Sequence, residues 1–207
     1  MFTGIVTAIG TITRIEKRGD LRARIAAPLD PARIDIGASI ACSGVCLTVV
    51  DRGGSAGDAW FDVDVSGETV SRTVFGMWEE GRALNIEPSL RLGDELGGHI
   101  VTGHVDAVGE VVKVKEEGDS WLVVIRALPN MAPFIAEKGS ITVNGVSLTV
   151  NDVRDQPDRT CDFALNIIPH TSEVTTLGDL KEGDQVNLEI DVLARYLKRM
   201  QGLAAAG

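Results

Sequence analysis

The sequence predicts an all-β fold of two tandem, similar six-stranded antiparallel Greek-key β-barrels followed by a C-terminal α-helix. Three observations predict it. The chain is written twice, each copy reads as short strands of period two set between turn signals, and only the last residues carry helical spacing. The expected units are residues 1–97, 98–190 and 191–207.

The repeat is explicit. Thr3-Gly4-Ile5-Val6 returns as Thr102-Gly103-His104-Val105, and Gly44-Val45-Cys46-Leu47-Thr48-Val49 returns as Gly145-Val146-Ser147-Leu148-Thr149-Val150. Further on, Glu68-Thr69 matches His170-Thr171, Gly76 matches Gly178, Gly81 matches Gly183, and Asn85-Ile86-Glu87 matches Asn187-Leu188-Glu189. The offset is 99 residues at Thr3/Thr102, 101 at Gly44/Gly145 and 102 at Asn85/Asn187, so only small loop insertions separate the copies. Each copy of roughly 95 residues is large enough to bury a core. Two copies make a duplicated domain, since a solenoid needs several stacked repeats.

Within each copy Phe61, Val63 and Val65 alternate with Asp62 and Asp64, and Val108, Val111 and Val114 recur among polar residues from Asp106 to Lys115. Such patterns are strands with one wet face. Asn144-Gly145, between Ile141-Thr142-Val143 and Val146-Ser147-Leu148-Thr149-Val150, is a tight-hairpin signal because both residues tolerate positive φ, and Ser43-Gly44 holds the same turn in the first copy. Closing some six short strands into a barrel removes exposed sheet edges. Short helical turns are expected after Glu68-Thr69 and His170-Thr171, stopping near Gly76 and Gly178. From Asp191, placed to cap the first turn, Val192, Leu193, Tyr196, Leu197 and Met200 fall at helical spacing opposite Arg195, Lys198 and Arg199. This amphipathic helix either packs on its own barrel or associates with copies of itself.

The 207 residues are 44% hydrophobic and 24% charged, with a net charge of −10. That balance argues against nucleic acid or an anionic membrane as partner, both of which are held by clustered Lys and Arg. A small neutral or polar ligand fits better. The three cysteines, Cys42, Cys46 and Cys161, lack paired metal-site spacing and read as reduced thiols, with Cys42 and Cys161 as small buried hydrophobes; a Cys42–Cys46 pair or a metal held by these two is the alternative. The start of the chain lacks the basic and apolar regions of a signal peptide, and the longest uncharged run, residues 36–50, is too short to span a membrane. A cytoplasmic location is expected.

Met1-Phe2-Thr3-Gly4-Ile5-Val6, Gly97-Gly98-His99-Ile100-Val101-Thr102-Gly103-His104-Val105 and the twin Gly-Val-Cys/Ser-Leu-Thr-Val hairpins together resemble the lumazine-binding twin-barrel family of the riboflavin synthase alpha chain. The resemblance covers the full length. It implies an enzyme that transfers a four-carbon unit between two molecules of 6,7-dimethyl-8-ribityllumazine, giving riboflavin and 5-amino-6-ribitylaminopyrimidinedione. It implies no metal or redox cofactor, and the sequence holds no Walker loop, GxGxxG or zinc-ligand cluster. It further implies a homotrimer joined by the terminal helix, each site combining the first barrel of one subunit with the second barrel of its neighbour. Association with lumazine synthase has no signature legible in the sequence.

The duplication suits a reaction in which two identical molecules play donor and acceptor in similar but unequal pockets. Holding two rings in reactive geometry is worth on the order of 7 to 11 kcal/mol. The mismatched positions carry the candidate chemistry. Read from the residues alone, His104, opposite Ile5, is either a general base or a satisfied barrel-rim histidine, and the resemblance makes it the leading base. Cys46, opposite Ser147, is either a nucleophile or proton donor, or a small residue that fits the wall; the resemblance places both positions in the active site. Thr48 and Thr149, with Ser39 against Ser140, read as strand residues by propensity, and as ligand-binding hydroxyls by resemblance. Asp191, opposite Ser89, reads as a helix cap and, by resemblance, lies near the second pocket.

The resemblance adds as substrate-binding Gly4, Ile5, Val6, Leu47, Asp64, Val65, Ser66, Gly67, Glu68, Thr69, Gly103, Val105, Lys138, Leu148, Asn166, Ile167, Ile168, Pro169, His170 and Thr171. Backbone groups at strand ends are expected to supply much of this recognition. His170 departs from the glutamate common in the family. Two rivals stand beside the enzyme: a non-catalytic lumazine- or flavin-binding antenna protein, expected to lack the reactive side chains present here, and a flavin-binding barrel of a reductase, expected to continue into a nucleotide domain.

Overall fold

The computed structural model describes residues 1–204, with only backbone for the last three of these; the end of the expected tail, residues 205–207, lies outside them. The first copy folds as β1 (Ala8–Arg18), β2 (Asp20–Ala27), β3 (Ser39–Cys42), β4 (Val45–Ser55), β5 (Asp58–Val65), α1 (Gly67–Arg72) and β6 (Ala83–Pro88). The second folds as β7 (Ala107–Glu117), β8 (Ser120–Ala127), β9 (Ser140–Val143), β10 (Val146–Thr149), β11 (Asp152–Asp155), β12 (Cys161–Ile167), α2 (Pro169–Val174) and β13 (Gln185–Ile190). A last helix, α3 (Val192–Ala204), follows.

The first sheet closes in the order β1-β2-β5-β4-β3-β6, with every neighbouring pair antiparallel. The second differs from the six-stranded closed barrel expected: it is a seven-stranded sheet in the order β10-β9-β13-β7-β8-β12-β11, curled into a half-barrel, with no β10·β11 pairing to close it among the described residues. Its extra strand comes from one break. Where β4 passes a bulge between Val49 and Asp51 as a single strand, the second copy stops β10 at Thr149 and restarts as β11 at Asp152. The backbone N–H of Val150 there donates to Gly139 and that of Asn151 to Ala164, so the two short strands each follow a different neighbour. Matching bulges, at Ile12/Arg14 and Val111/Lys113, bend the long first strand of each copy around its barrel. The three-residue spacing from Val111 to Val114 straddles that bulge.

Each barrel has its own core. Ile12, Ile25, Phe61, Val63 and Ile86 fill the first, and Val111, Ile125, Phe163, Leu165 and Leu188 the second. Asp62, buried on an otherwise wet face, is held by a bidentate pair with Arg24 at 2.7 and 2.9 Å, and Asp162 is held the same way by Arg126. The hairpin turns form as read: Ser43 and Gly44 take φ of 45° and 84°, Asn144 and Gly145 46° and 81°. The short helices begin on Gly67 and Pro169. They therefore contain Glu68-Thr69 and His170-Thr171 rather than following them.

Between the copies lies a small third cluster of Phe2, Ala41 and Val101, with Cys46 against it. A reciprocal pair of asparagines locks the arrangement. The Asn85 side chain donates to the Asn144 carbonyl at 2.9 Å and accepts from the Thr176 N–H at 2.8 Å. The Asn187 side chain donates to the Ser43 carbonyl at 3.0 Å and accepts from the Val74 N–H at 2.9 Å. Among the described residues no helix is long and apolar enough to cross a membrane.

Candidate active site

The two segments that open the copies do not stay with the copies they belong to in sequence. The Ser147 N–H, on the second barrel, donates to the Gly4 carbonyl at 2.8 Å, and the Cys46 N–H, on the first, donates to the Gly103 carbonyl at 2.8 Å. Val6 packs on the second core, whereas Val105 and Val108 pack on the first. Gly4 and Gly103 adopt φ of +76° and +77°, and an added Cβ would stand 2.6 Å from the Ser147 Cβ and 2.7 Å from the Cys46 Cβ. Only glycine permits that approach.

A carboxylate fixes each crossing. Glu87 accepts from the Thr3 N–H and hydroxyl at 2.7 and 2.9 Å through Oε1, and from the Gly4 N–H at 3.0 Å through Oε2. Glu189 accepts from the Thr102 N–H and hydroxyl at 2.7 and 2.6 Å, and from the Gly103 and His104 N–H groups at 2.9 and 3.0 Å. Burial pushes the Glu87 carboxyl above the usual range against the pull of these donors.

Two candidate pockets result. One gathers Cys46, Leu47 and Thr48 of β4, Ser39 opposite Thr48 on β3, and the crossing Gly103-His104-Val105. The β4·β5 ladder stops at Val49/Val63 while β5 continues to pair with β2 through Val65, so Cys46–Thr48 and Asp64–Val65 splay apart. Strand-end backbone groups are thereby left for a ligand. The other pocket gathers Ser147, Leu148 and Thr149, with Gly4-Ile5-Val6; its ladder stops at Asp152/Ala164, and β12 runs on through Asn166 and Ile167. His104 and Ile5 both lie exposed. Sequence order assigns His104 to the second copy, but the fold delivers it to the side of Cys46.

Several expected binding side chains are already engaged. Arg22 grips Asp64 at 2.8 and 3.0 Å and holds its carboxyl below the usual carboxylate range. Glu68 pairs with Arg72 at 2.7 Å, and Ser66 caps α1 by accepting from the Thr69 N–H. Gly67, Ile168, Pro169 and His170 lie exposed at the starts of α1 and α2, with Thr171 half-buried. Lys138 is an exposed residue at φ 63°, where the first copy has Gly37 at φ 87°. Asp191 accepts from the Leu193 N–H at 2.9 Å and caps α3.

His99 was missed as a candidate. Its Nδ1 lies 2.7 Å from Ser147 Oγ and its Nε2 3.3 Å from Thr142 Oγ1. Burial lowers its pKa, opposed by the nearby Asp191 and Glu189 carboxylates. The matched pairs of the repeat begin at Thr3/Thr102, three residues after His99, so the comparison of copies does not reach it. The retained Glu87/Glu189 and Asn85/Asn187 pairs were visible as identities, and a charge held inside an apolar strand was the signal. A cavity of about 570 Å³ lies between Ser43, Asn144, Met77, Asn187 and Arg82 and is lined by none of the expected site residues.

A lumazine binding domain signature matches residues 3–89 and again 102–191. The chain belongs to the lumazine-binding domain family. Both matches begin at the threonine whose crossing segment builds a pocket. Within this family the chain is 48% identical over 204 residues to the riboflavin synthase of Brucella abortus (strain 2308), covering 97% of this chain and 98% of that one. It is 44% identical to the riboflavin synthase of Photobacterium phosphoreum, covering 97% and 88%. Among lumazine-binding structures, LumP complexed with riboflavin superposes with a TM-score of 0.75 at 29% identity, covering 92% of this chain and 99% of that one. LumP complexed with 6,7-dimethyl-8-(1'-D-ribityl) lumazine gives 0.74 at 27% identity.

Proposed function

We propose that this chain is a riboflavin synthase that dismutates two 6,7-dimethyl-8-ribityllumazine molecules into riboflavin and 5-amino-6-ribitylaminopyrimidinedione by transfer of a four-carbon unit. The observation that carries this reading is the pair of pockets built alike but furnished differently, one with Cys46 and His104, the other with Ser147 and Ile5. Such a pair fits one substrate used in two roles. In this reading His104 accepts the proton lost by the C7 methyl group, Cys46 faces the ring in the same pocket, and Ser147 hydrogen-bonds the ligand of the other.

The working unit we propose is a cytoplasmic homotrimer, in which the first domain (1–97) of one chain meets the second (98–190) of the next. Its support is the terminal helix. Arg195 pairs with Asp106 at 2.6 and 2.9 Å and Lys198 lies 4.8 Å above the Phe134 ring, so the basic side anchors α3 to its own barrel. Leu193, Tyr196, Leu197 and Met200 are left 60–67% exposed.

The deciding experiment supplies purified protein with the lumazine alone. Two lumazines consumed per riboflavin formed is the expected result. Stoichiometric binding with no product overturns the enzyme and leaves a binding-only antenna. Within the enzyme reading, Cys46→Ala and His104→Ala each slow turnover by on the order of 100-fold while riboflavin binding changes far less, and Ser147→Ala does less to turnover. Unchanged turnover in the His104 variant removes it as the base.

A further inference from the structure

We propose that His99 is a positioning residue that turns the Ser147 hydroxyl into a hydrogen-bond donor to the bound heterocycle. In this arrangement the neutral ring carries its proton on Nδ1 and donates it to Ser147 Oγ, while Nε2 accepts from Thr142. The lone pair engaged by His99 leaves the Ser147 proton free to point at a carbonyl or imine-type acceptor on the ligand. The identity of that ligand rests on the lumazine reading.

The direction follows from Thr142. Its side chain is buried, and among the described residues its hydroxyl has one hydrogen-bond partner, His99 Nε2 at 3.3 Å. Were Nε2 protonated, the Thr142 hydroxyl proton would face a donor and be stranded, at a penalty of about 1 to 3 kcal/mol. Glu189 offers no alternative, because both its oxygens already serve Thr102, Gly103 and His104. Burial keeps the ring neutral against the Asp191 and Glu189 carboxylates, so one nitrogen is an acceptor and Thr142 selects which. At 2.7 Å from Nδ1, Ser147 then receives the other proton.

This tautomer is the reverse of a nucleophilic serine–histidine pair, where the ring takes the hydroxyl proton. Two members of the device are absent from the other pocket. The position matching Thr142 is Ala41, and a thiol stands where Ser147 has its hydroxyl. The Ser147 pocket is thus equipped to hold an acceptor atom in place, and the Cys46 pocket is not.

The direct test uses the intact chain labelled with ¹⁵N. With three histidines in the sequence, His99 is assigned by the signal lost in His99→Asn, and long-range ¹⁵N–¹H correlations read its tautomer. A neutral Nδ1–H ring is expected at neutral pH, and an Nε2–H ring overturns the proposal. The second arm is fluorescence titration with riboflavin. Ser147→Ala and His99→Ala should each weaken binding by about tenfold, and the double variant should be no weaker than either, because both remove one donor. His99→Asn, whose amide N–H stands near the Nδ1 position, should restore most of the loss. Losses that multiply in the double variant overturn the proposal. Turnover is scored separately: an unaltered chain that binds riboflavin but forms none removes the enzyme reading and leaves both arms intact.

Discussion

Three thiols of one chain differ in what they can do because the fold gives them different surroundings. Cys42 is fully buried, and burial drives its pKa well above the ordinary thiol value. Burial, with Asp155 and Asp162 adding to it, pushes Cys161 up to about 11. Cys46 is half-buried at the edge of its groove. Since the thiolate is the reactive form and access limits attack, iodoacetamide should label Cys46 at least about tenfold faster than the other two, with riboflavin protecting it. Peptide mass spectrometry checks this, and early labelling of Cys42 or Cys161 contradicts it. His99 gives the corresponding pH prediction. Its depressed pKa means the folded chain binds fewer protons than the unfolded chain, so the contribution is complete above the unfolded value of about 6.5 and is lost as pH falls through the folded pKa. Melting temperature should fall across that acid window, less steeply in His99→Asn. The reactive positions were legible because the copies disagree there: Cys46 against Ser147, His104 against Ile5. His99 was not, since it precedes the first matched pair of the repeat, Thr3/Thr102.

Elements that look independent in sequence are tied together by two carboxylates on the last strand of each barrel. Glu189 gathers four donors from one crossing segment, and that segment brings His104 to the Cys46 side. Glu189→Gln keeps the shape but puts an amide N–H₂ where one carboxylate oxygen accepted. Leaving two donors unpaired should destabilise the chain by roughly 2 to 4 kcal/mol in urea denaturation, and should slow turnover by displacing His104. Full stability in this variant would remove the carboxylate as the fastener. Local chemistry made the hairpins readable, because Asn144-Gly145 needs only its own backbone preference to turn. The exchange of Gly4 and Gly103 between barrels is a non-local pairing between segments whose own residues are short and apolar or small. Neither periodicity nor turn signals record where such a segment docks. The break at Val150-Asn151 escaped for a related reason, as it replaces a bulge that the first copy forms at the same place.

At the scale of the whole molecule, the two barrels form a self-sufficient body, and α3 is the element left incompletely covered. A helix that packed for its own chain alone would turn its apolar side inward. Here Arg195 and Lys198 face the barrel, and Leu193, Tyr196, Leu197 and Met200 face out. Burying four such side chains between copies is worth on the order of 1.5 to 3 kcal/mol each, enough to favour association, whereas leaving them wet exposes a contiguous apolar stripe. Among the described residues neither barrel core includes a side chain of α3, so ending the chain at Asp191 should leave the fold intact. The shortened chain should run as a monomer in light scattering, still bind riboflavin, and lose turnover, because each grooved pocket would lack the neighbour that faces it. A full-length chain that is monomeric and active breaks this account of the site. A truncated chain that remains trimeric moves the interface from α3 to the barrels.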